Sequence, residues 1–248
     1  MRSDIVFLLA AFICEVLGTL GGFGSSVFFV PVAGLFFSFN MVLAITGILH
    51  VFSNINKLIL FRNSINRELL LFYGIPGVIL VIGGAWLSTN TSFNLAEISL
   101  AAFLIIFSST LLLYPGFKFS PTPKNAVMSG AVAGFLAGFN GTGGAIRGIS
   151  MAAFNLEKNT FVATSAAVDL GVDVSRSSIY LSNNYFDLRY WYFIPLLLVI
   201  SFAGSWTGKI LLNKMPQEKF RQLVLLLILL IGVLMLFKER HHIDFLFS

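Results

Sequence analysis

Long apolar runs separated by short polar segments dominate this chain. A bilayer core about 30 Å thick asks for roughly 20 mostly apolar residues per helical crossing. The runs Asp4–Gly22, Met41–Phe61, Leu69–Leu87, Glu97–Tyr114, Asn125–Asn140, Thr160–Leu181, Tyr190–Leu212 and Gln222–Phe237 meet or approach that length. They predict an all-α polytopic membrane protein. Two shorter runs, Val27–Phe39 and Ala145–Leu156, follow glycine-rich breaks and are too short to cross comfortably. Arg2 ahead of an apolar stretch has the form of a signal peptide, but apolar runs continue down the chain, so a retained first helix is expected.

The polar segments are short, and only Tyr114–Lys124, with Pro115, Pro121 and Pro123, reads as a linker. It divides the chain near its middle, and the two parts resemble each other. Gly18, Gly21 and Phe23 of the first part answer to Gly134, Ala137 and Phe139 of the second. Ala44 and Thr46 match Ala163 and Ser165, Pro76 matches Pro195, and Gly84 and Trp86 match Gly204 and Trp206. The offsets stay between 116 and 120 residues. The expected organisation is a first transmembrane repeat over 1–114, a linker over 115–124, a second repeat over 125–240 and a tail over 241–248. Each repeat holds about five hydrophobic segments, the first of them broken by glycine.

Composition fixes the solvent. Hydrophobic residues make up 57% of 248 and charged ones 11%, with a mean hydropathy of +0.89. Soluble domains carry about 25% charged residues, so this chain lacks the polar surface to dissolve in water. Disordered, collagen-like and disulfide-scaffold classes are excluded, and the single Cys14 forms no internal bridge. The formal charge of +5 points to loop orientation, not to nucleic acid.

Orientation follows from where the basic residues fall. An odd number of crossings per repeat inverts the second half. The loop Ser88–Ala96 has no Lys or Arg, whereas its mate carries Lys209, Lys214, Lys219 and Arg221. The Arg62–Glu68 loop has two arginines, and its mate Ser182–Arg189 has one beside Asp187. Opposite bias in equivalent loops favours inverted repeats over parallel ones.

The glycine breaks at Gly21–Ser26 and Gly138–Gly144 are the first candidate site. Non-helical backbone within lipid is tolerated only when buried in protein or lining a wet cavity. A break in mid-span exposes the amides of the next helix, which attract anions. Inverted-repeat transporters place such breaks near the midplane, where the halves meet. Gly24, Ser25, Ser26, Gly141, Thr142, Gly143 and Gly144 are therefore candidate substrate contacts. The alternative is close packing through small residues, the reading taken for Gly18, Gly130 and Gly134. No lysine of nucleotide-loop type follows the glycines.

Charges inside the membrane form the second candidate set, because each costs about 2.5–3.5 kcal/mol at a helix centre. Asp169, Asp173 and Arg176 share one helical face by i, i+4, i+7 spacing, and their mates at offset 119 are His50, Asn54 and Lys57. Both polar stripes are expected to face the centre, for coupling or for structure. Asp173 and Arg176 suit a buried pair; Asp169 and His50 suit proton uptake or plain hydrogen bonding. Glu15 is expected either to pair with Arg147 or to titrate. Arg147, just past the second glycine break, can grip two oxygens of an anion and is the leading substrate contact. No metal or cofactor is called for, and the adjacent His241 and His242 read as solvated.

On these residues the chain resembles the TauE/SafE sulfite exporter family. The resemblance rests on size, duplicated halves, Gly22, Gly24, Ser25, Ser26 and Pro31 in the first half, and Gly141, Gly143 and Gly144 in the second. Ala44–Thr46 and Ala163–Ser165 add to it. Ser25 and Ser26 stand where a fuller glycine run is usual, and Gly148 where a proline is expected. The resemblance implies a secondary carrier for sulfite, sulfonates or related organosulfur anions in the cell membrane, working by alternating access. Its partners would be the anion, a coupling proton and the bilayer. Two rivals remain. One is a membrane-embedded lipid-modifying enzyme, for which Asp169 and Asp173 supply half of an acidic motif without its Asp-Gly-x-x-Ala-Arg partner. The other is an anion channel.

Overall fold

The computed structural model of the protein describes residues 2–21, 24–61, 65–90, 93–114, 122–141, 143, 144, 147, 158–212, 214 and 216–238. Its helices are α1 (Arg2–Gly21), α2 (Ser26–Ala33), α3 (Phe39–Leu60), α4 (Arg67–Thr89), α5 (Phe93–Leu113), α6 (Pro123–Asn140), α7 (Lys158–Ser182), α8 (Phe193–Leu212) and α9 (Gln217–Lys238). No strand occurs among the described residues. Among them, α3, α4 and α8 are long and apolar enough to cross a membrane by length and composition alone. The segment Ala145–Leu156, Thr142 and the tail with His241 and His242 lie outside the described residues, Arg147 excepted.

The apolar faces point outward, as lipid requires. On α1, Ile5, Leu9 and Ile13 are exposed at helical spacing, while Phe7, Ala11, Glu15 and Thr19 are buried. Ile75, Ile79, Ile82 and Trp86 form the outer face of α4. Buried Phe7 gathers Phe29, Phe37 and Phe193 around it at ring separations of 4.9–5.7 Å.

Local chemistry sets the helix ends. Thr122 caps α6 by accepting from the Asn125 amide (3.2 Å), and Pro123 occupies the first turn, where its missing N–H costs nothing. At the other end Gly141 takes φ +75°, the left-handed conformation that terminates helices. Gly24 (φ +79°) plays the matching part ahead of α2. The expected apolar run Val27–Phe39 does not make one helix: α2 contains Pro31, stops at Ala33, and gives way to turns before α3 begins at Phe39. Within α4, residues Leu70–Gly74 widen to a π-helical turn just before Pro76.

Two glycine seams organise the packing. In the α4–α6 seam a Cβ on Gly130 would collide with the Tyr73 carbonyl, one on Gly134 with the Gly77 carbonyl, and one on Gly138 with the Val81 carbonyl. Residue numbers rise together, so α4 and α6 run parallel. The α1–α8 seam also runs parallel, with Gly204 against Glu15 and Gly208 against Thr19. At the centre α3 crosses α7 in the opposite sense. Gly47 abuts Ser177, Asn54 bonds Asp173, and Lys57 shares a pocket with Asp169 and Ser165. Numbers rise along α3 as they fall along α7, so these helices are antiparallel. α5 packs on α9, α3 also touches α8, and α4 also touches α7.

Candidate functional site

Five buried ionisable side chains and one histidine sit on α1, α3 and α7, with buried Arg147 beside them. Glu15 is fully buried. It accepts from the Ser25 hydroxyl (2.6 Å), the Ser205 hydroxyl (3.0 Å) and the Ser53 hydroxyl, and it pairs with Lys57 Nζ at 3.3 Å. The expected alternative, a Glu15–Arg147 pair, is not what forms. Lys57 stands two turns beyond His50 on α3 and reaches α1 directly, whereas the Arg147 guanidinium is taken by Asp169.

The Ser25 hydroxyl proton goes to Glu15, so Ser25 accepts from His50 Nε2 at 2.9 Å. His50 Nδ1 lies 3.7 Å from Asp173. Asp173 in turn accepts from Asn54 (2.7 Å) and from Arg176 Nε (2.8 Å). Asn54 and Asp173 stand 119 residues apart in the chain, and their bond brings the two polar stripes into direct contact. A continuous chain of contacts thus runs Lys57, Glu15, Ser25, His50, Asp173, Arg176. Every acid in it has several donors, which is what makes a buried polar network tolerable.

Arg176 also donates to the Ala137 carbonyl at 2.9 Å, and the Tyr180 hydroxyl donates to the Gly138 carbonyl. These are among the last carbonyls of α6, which have no partner within the helix. Asp173, Arg176 and Tyr180 therefore brace the end of α6 where Gly141 breaks it.

Arg147 belongs to a separate pair. Its amide bonds the Gly143 carbonyl (3.2 Å). Its Nε donates to Ser165 (2.9 Å), and Nη1 pairs with Asp169. A Cβ on Gly24 would stand 3.1 Å from Arg147 Nη2, so the positive-φ glycine of the first break faces the guanidinium that follows the second.

Beside this pair opens a pocket of about 330 Å³ of empty space, including its outward mouth. Gly18, Thr19, Gly24, Asn54 and Lys57 line it from one half of the chain, and Arg147, Phe161, Val162, Ser165, Ala166 and Asp169 from the other. Of the expected substrate contacts, Arg147 and Gly24 are here. Ser25 and Ser26 are buried behind it, with the Ser25 hydroxyl already engaged. Gly141 lies instead against Leu43, Val30 and Arg176, and Gly143 is packed on the Ala133 carbonyl of α6. Gly144 is buried and helical, outside the pocket lining. Of the polar stripe, Asn54, Lys57 and Asp169 reach the pocket; His50, Asp173, Arg176 and Glu15 stay in the network behind.

Thr19 and Ser165 are pocket residues that sequence reasoning did not single out as contacts, and Gly18, read as packing, lines the pocket as well. The usable signal was the spacing Gly204-x-x-x-Gly208 opposite Glu15-x-x-x-Thr19. Two missing side chains on α8 make room for two polar ones on α1.

Against known proteins, the family model described as sulfite exporter TauE/SafE matches residues 7–235, a span containing every helix contact above. No curated protein and no solved structure matches the chain.

Proposed function

The chain belongs to the sulfite exporter TauE/SafE family, and from that premise we propose that it is a secondary transporter of a small anion, sulfite or an organosulfur anion such as a sulfonate, multi-pass in the cell membrane. The observation that carries this reading is the pocket in which Lys57 of one half and Arg147 of the other converge beside Gly24. Two cations and a bare backbone corner offer an oxyanion charge, bidentate geometry and close approach at once.

The packing supports two repeats of the kind expected, over 1–114 and 125–240. The α1–α8 seam and the α4–α6 seam exchange under the repeat, as do the α3–α8 and α4–α7 contacts. The mates α3 and α7 cross antiparallel, and an axis relating two antiparallel helices is perpendicular to both. For spanning helices that axis lies in the membrane plane, which favours inversion and alternating access by rocking of one repeat on the other. A substrate held by Lys57 and Arg147 would bridge the moving halves.

Asp169 supplies the coupling. An incoming anion must compete with this carboxylate for Arg147, and a proton on Asp169 ends the competition. Asp169 faces Arg147 and Ser165, with Lys57 across the pocket. Asp173 and Arg176 follow on α7, His50 reaches Asp173 from α3, and Tyr73 of α4 stands within electrostatic range of Arg147. Glu15 and Asp173 are less suited, each being held by several donors away from the pocket. Proton and anion therefore bind together, and anion affinity rises as pH falls.

Binding by the full-length protein across a panel of sulfite, thiosulfate, methanesulfonate and chloride tests the reading. Saturable binding of the sulfur oxyanions, weakened by Arg147→Ala, is expected; absence of binding to all four would end it.

A further inference from the structure

Thr19 is 4% exposed and lines the pocket, yet its Oγ1 has no hydrogen-bond partner among the described residues. Burying an unpaired hydroxyl is unfavourable, and helices offer a ready remedy in the carbonyl one turn back. Thr46, Ser108, Thr110 and Ser175 all take it, bonding the carbonyls of Val42, Leu104, Ile106 and Gly171 at 2.6–2.8 Å. Thr19 does not bond the carbonyl of Glu15. The reason is visible on α8: the Cβ and methyl of Thr19 fill the space left by Gly208, where a Cβ would collide with them. The methyl is thus seated in the α1–α8 seam, and the hydroxyl is the part of the side chain left over. A valine would fill that seam equally well. The seam alone gives no reason for an oxygen here.

We propose that the Thr19 hydroxyl binds the transported anion directly, donating a hydrogen bond to an unprotonated oxygen of an oxyanion held by Lys57 and Arg147. This rests on the anion-carrier reading of the same pocket. The chemistry is complementary: the two cations provide charge, and a neutral donor fixed by its seated methyl reads where an oxygen lies. Ser177 marks the contrast. Its hydroxyl is also buried and without a partner among the described residues, but it sits at the α3–α7 crossing against Gly47 and not in the pocket lining.

The test is calorimetric titration of sulfite into the full-length protein in lipid nanodiscs, with Thr19→Val and Thr19→Ser beside the wild type. Thr19→Val keeps the seated shape and removes only the donor. It is expected to weaken sulfite binding at least about tenfold, the usual loss for a hydrogen bond to a charged partner. Thr19→Ser is expected to stay within about threefold. Thr19→Cys, a weaker donor of similar volume, provides the second variant and should fall between them. Sulfite bound by Thr19→Val or by Thr19→Cys as tightly as by the wild type would overturn the proposal. Failure of the wild type itself to bind sulfite would instead remove the carrier reading, so the two failures are distinct.

Discussion

The two glycine seams share a parallel helix geometry, yet they have opposite chemistry. In the α4–α6 seam, Gly130, Gly134, Gly138 and Gly84 bring backbone onto backbone, with carbonyls of Tyr73, Gly77, Val81 and Phe135 where side chains would otherwise stand. In the α1–α8 seam, Gly204 and Gly208 make room for Glu15 and Thr19. One seam is backbone against backbone and holds the helices together. The other has the same parallel geometry but carries a carboxylate, a threonine and Ser205, and it opens beside the pocket. Both seams thus have polar groups near them, but Arg176 and Tyr180 reach the α4–α6 seam only at the last carbonyls of α6, whereas Glu15 and Thr19 lie within the α1–α8 seam itself.

That contrast can be broken in graded steps. The largest effect is expected for Glu15→Leu, which leaves Lys57 buried without a counter-charge and should cost about 3–5 kcal/mol of stability. Glu15→Leu combined with Lys57→Met should recover most of it, read as the melting temperature of the purified protein. Next comes Gly134→Ala. Its methyl would strike the Gly77 carbonyl, so the helices must separate, at about 1–3 kcal/mol, with a matching fall in melting temperature. Gly208→Ala is the sharper counterpart. Its methyl meets the Thr19 side chain first and the Val16 carbonyl only at 3.0 Å, a looser backbone contact than that of Gly134, so it should cost less stability and weaken sulfite binding a few-fold.

Asp169→Asn changes binding and not packing. With the competing charge removed, methanesulfonate, which stays ionised throughout, should bind more tightly near neutral pH. Its affinity should also lose the rise toward low pH expected of the wild type. A variant whose pH profile matched the wild type would place the proton elsewhere.

Helix positions were legible because apolar run length is a direct consequence of bilayer thickness. Met41–Phe61 and Thr160–Leu181 differ from α3 and α7 by only a few residues at each end. Val27–Phe39 was read as too short to cross, and α2 is shorter still because hydropathy does not register the turn that begins at Gly34. The polar stripes on α3 and α7 were legible for the same reason as the helices: i, i+4, i+7 spacing survives in any packing. Their partners were not. Glu15 joins Lys57 rather than Arg147 because α1 and α3 both pack on α8, a tertiary fact with no local trace. Thr19 stayed hidden because a threonine in an apolar helix ordinarily satisfies itself, and only Gly208, far along the chain, alters that.

The proposed function turns on passage of an anion by way of the Lys57–Arg147 pocket. Methanesulfonate exchange across proteoliposome membranes tests it most directly, comparing wild type with Arg147→Gln at matched, folded protein content. Saturable exchange is expected of the wild type, with a loss of at least about tenfold in Arg147→Gln, which keeps hydrogen-bonding capacity but lacks the charge. Equal exchange by the two proteins, or flux in the wild type that rises with concentration without saturating, would contradict it.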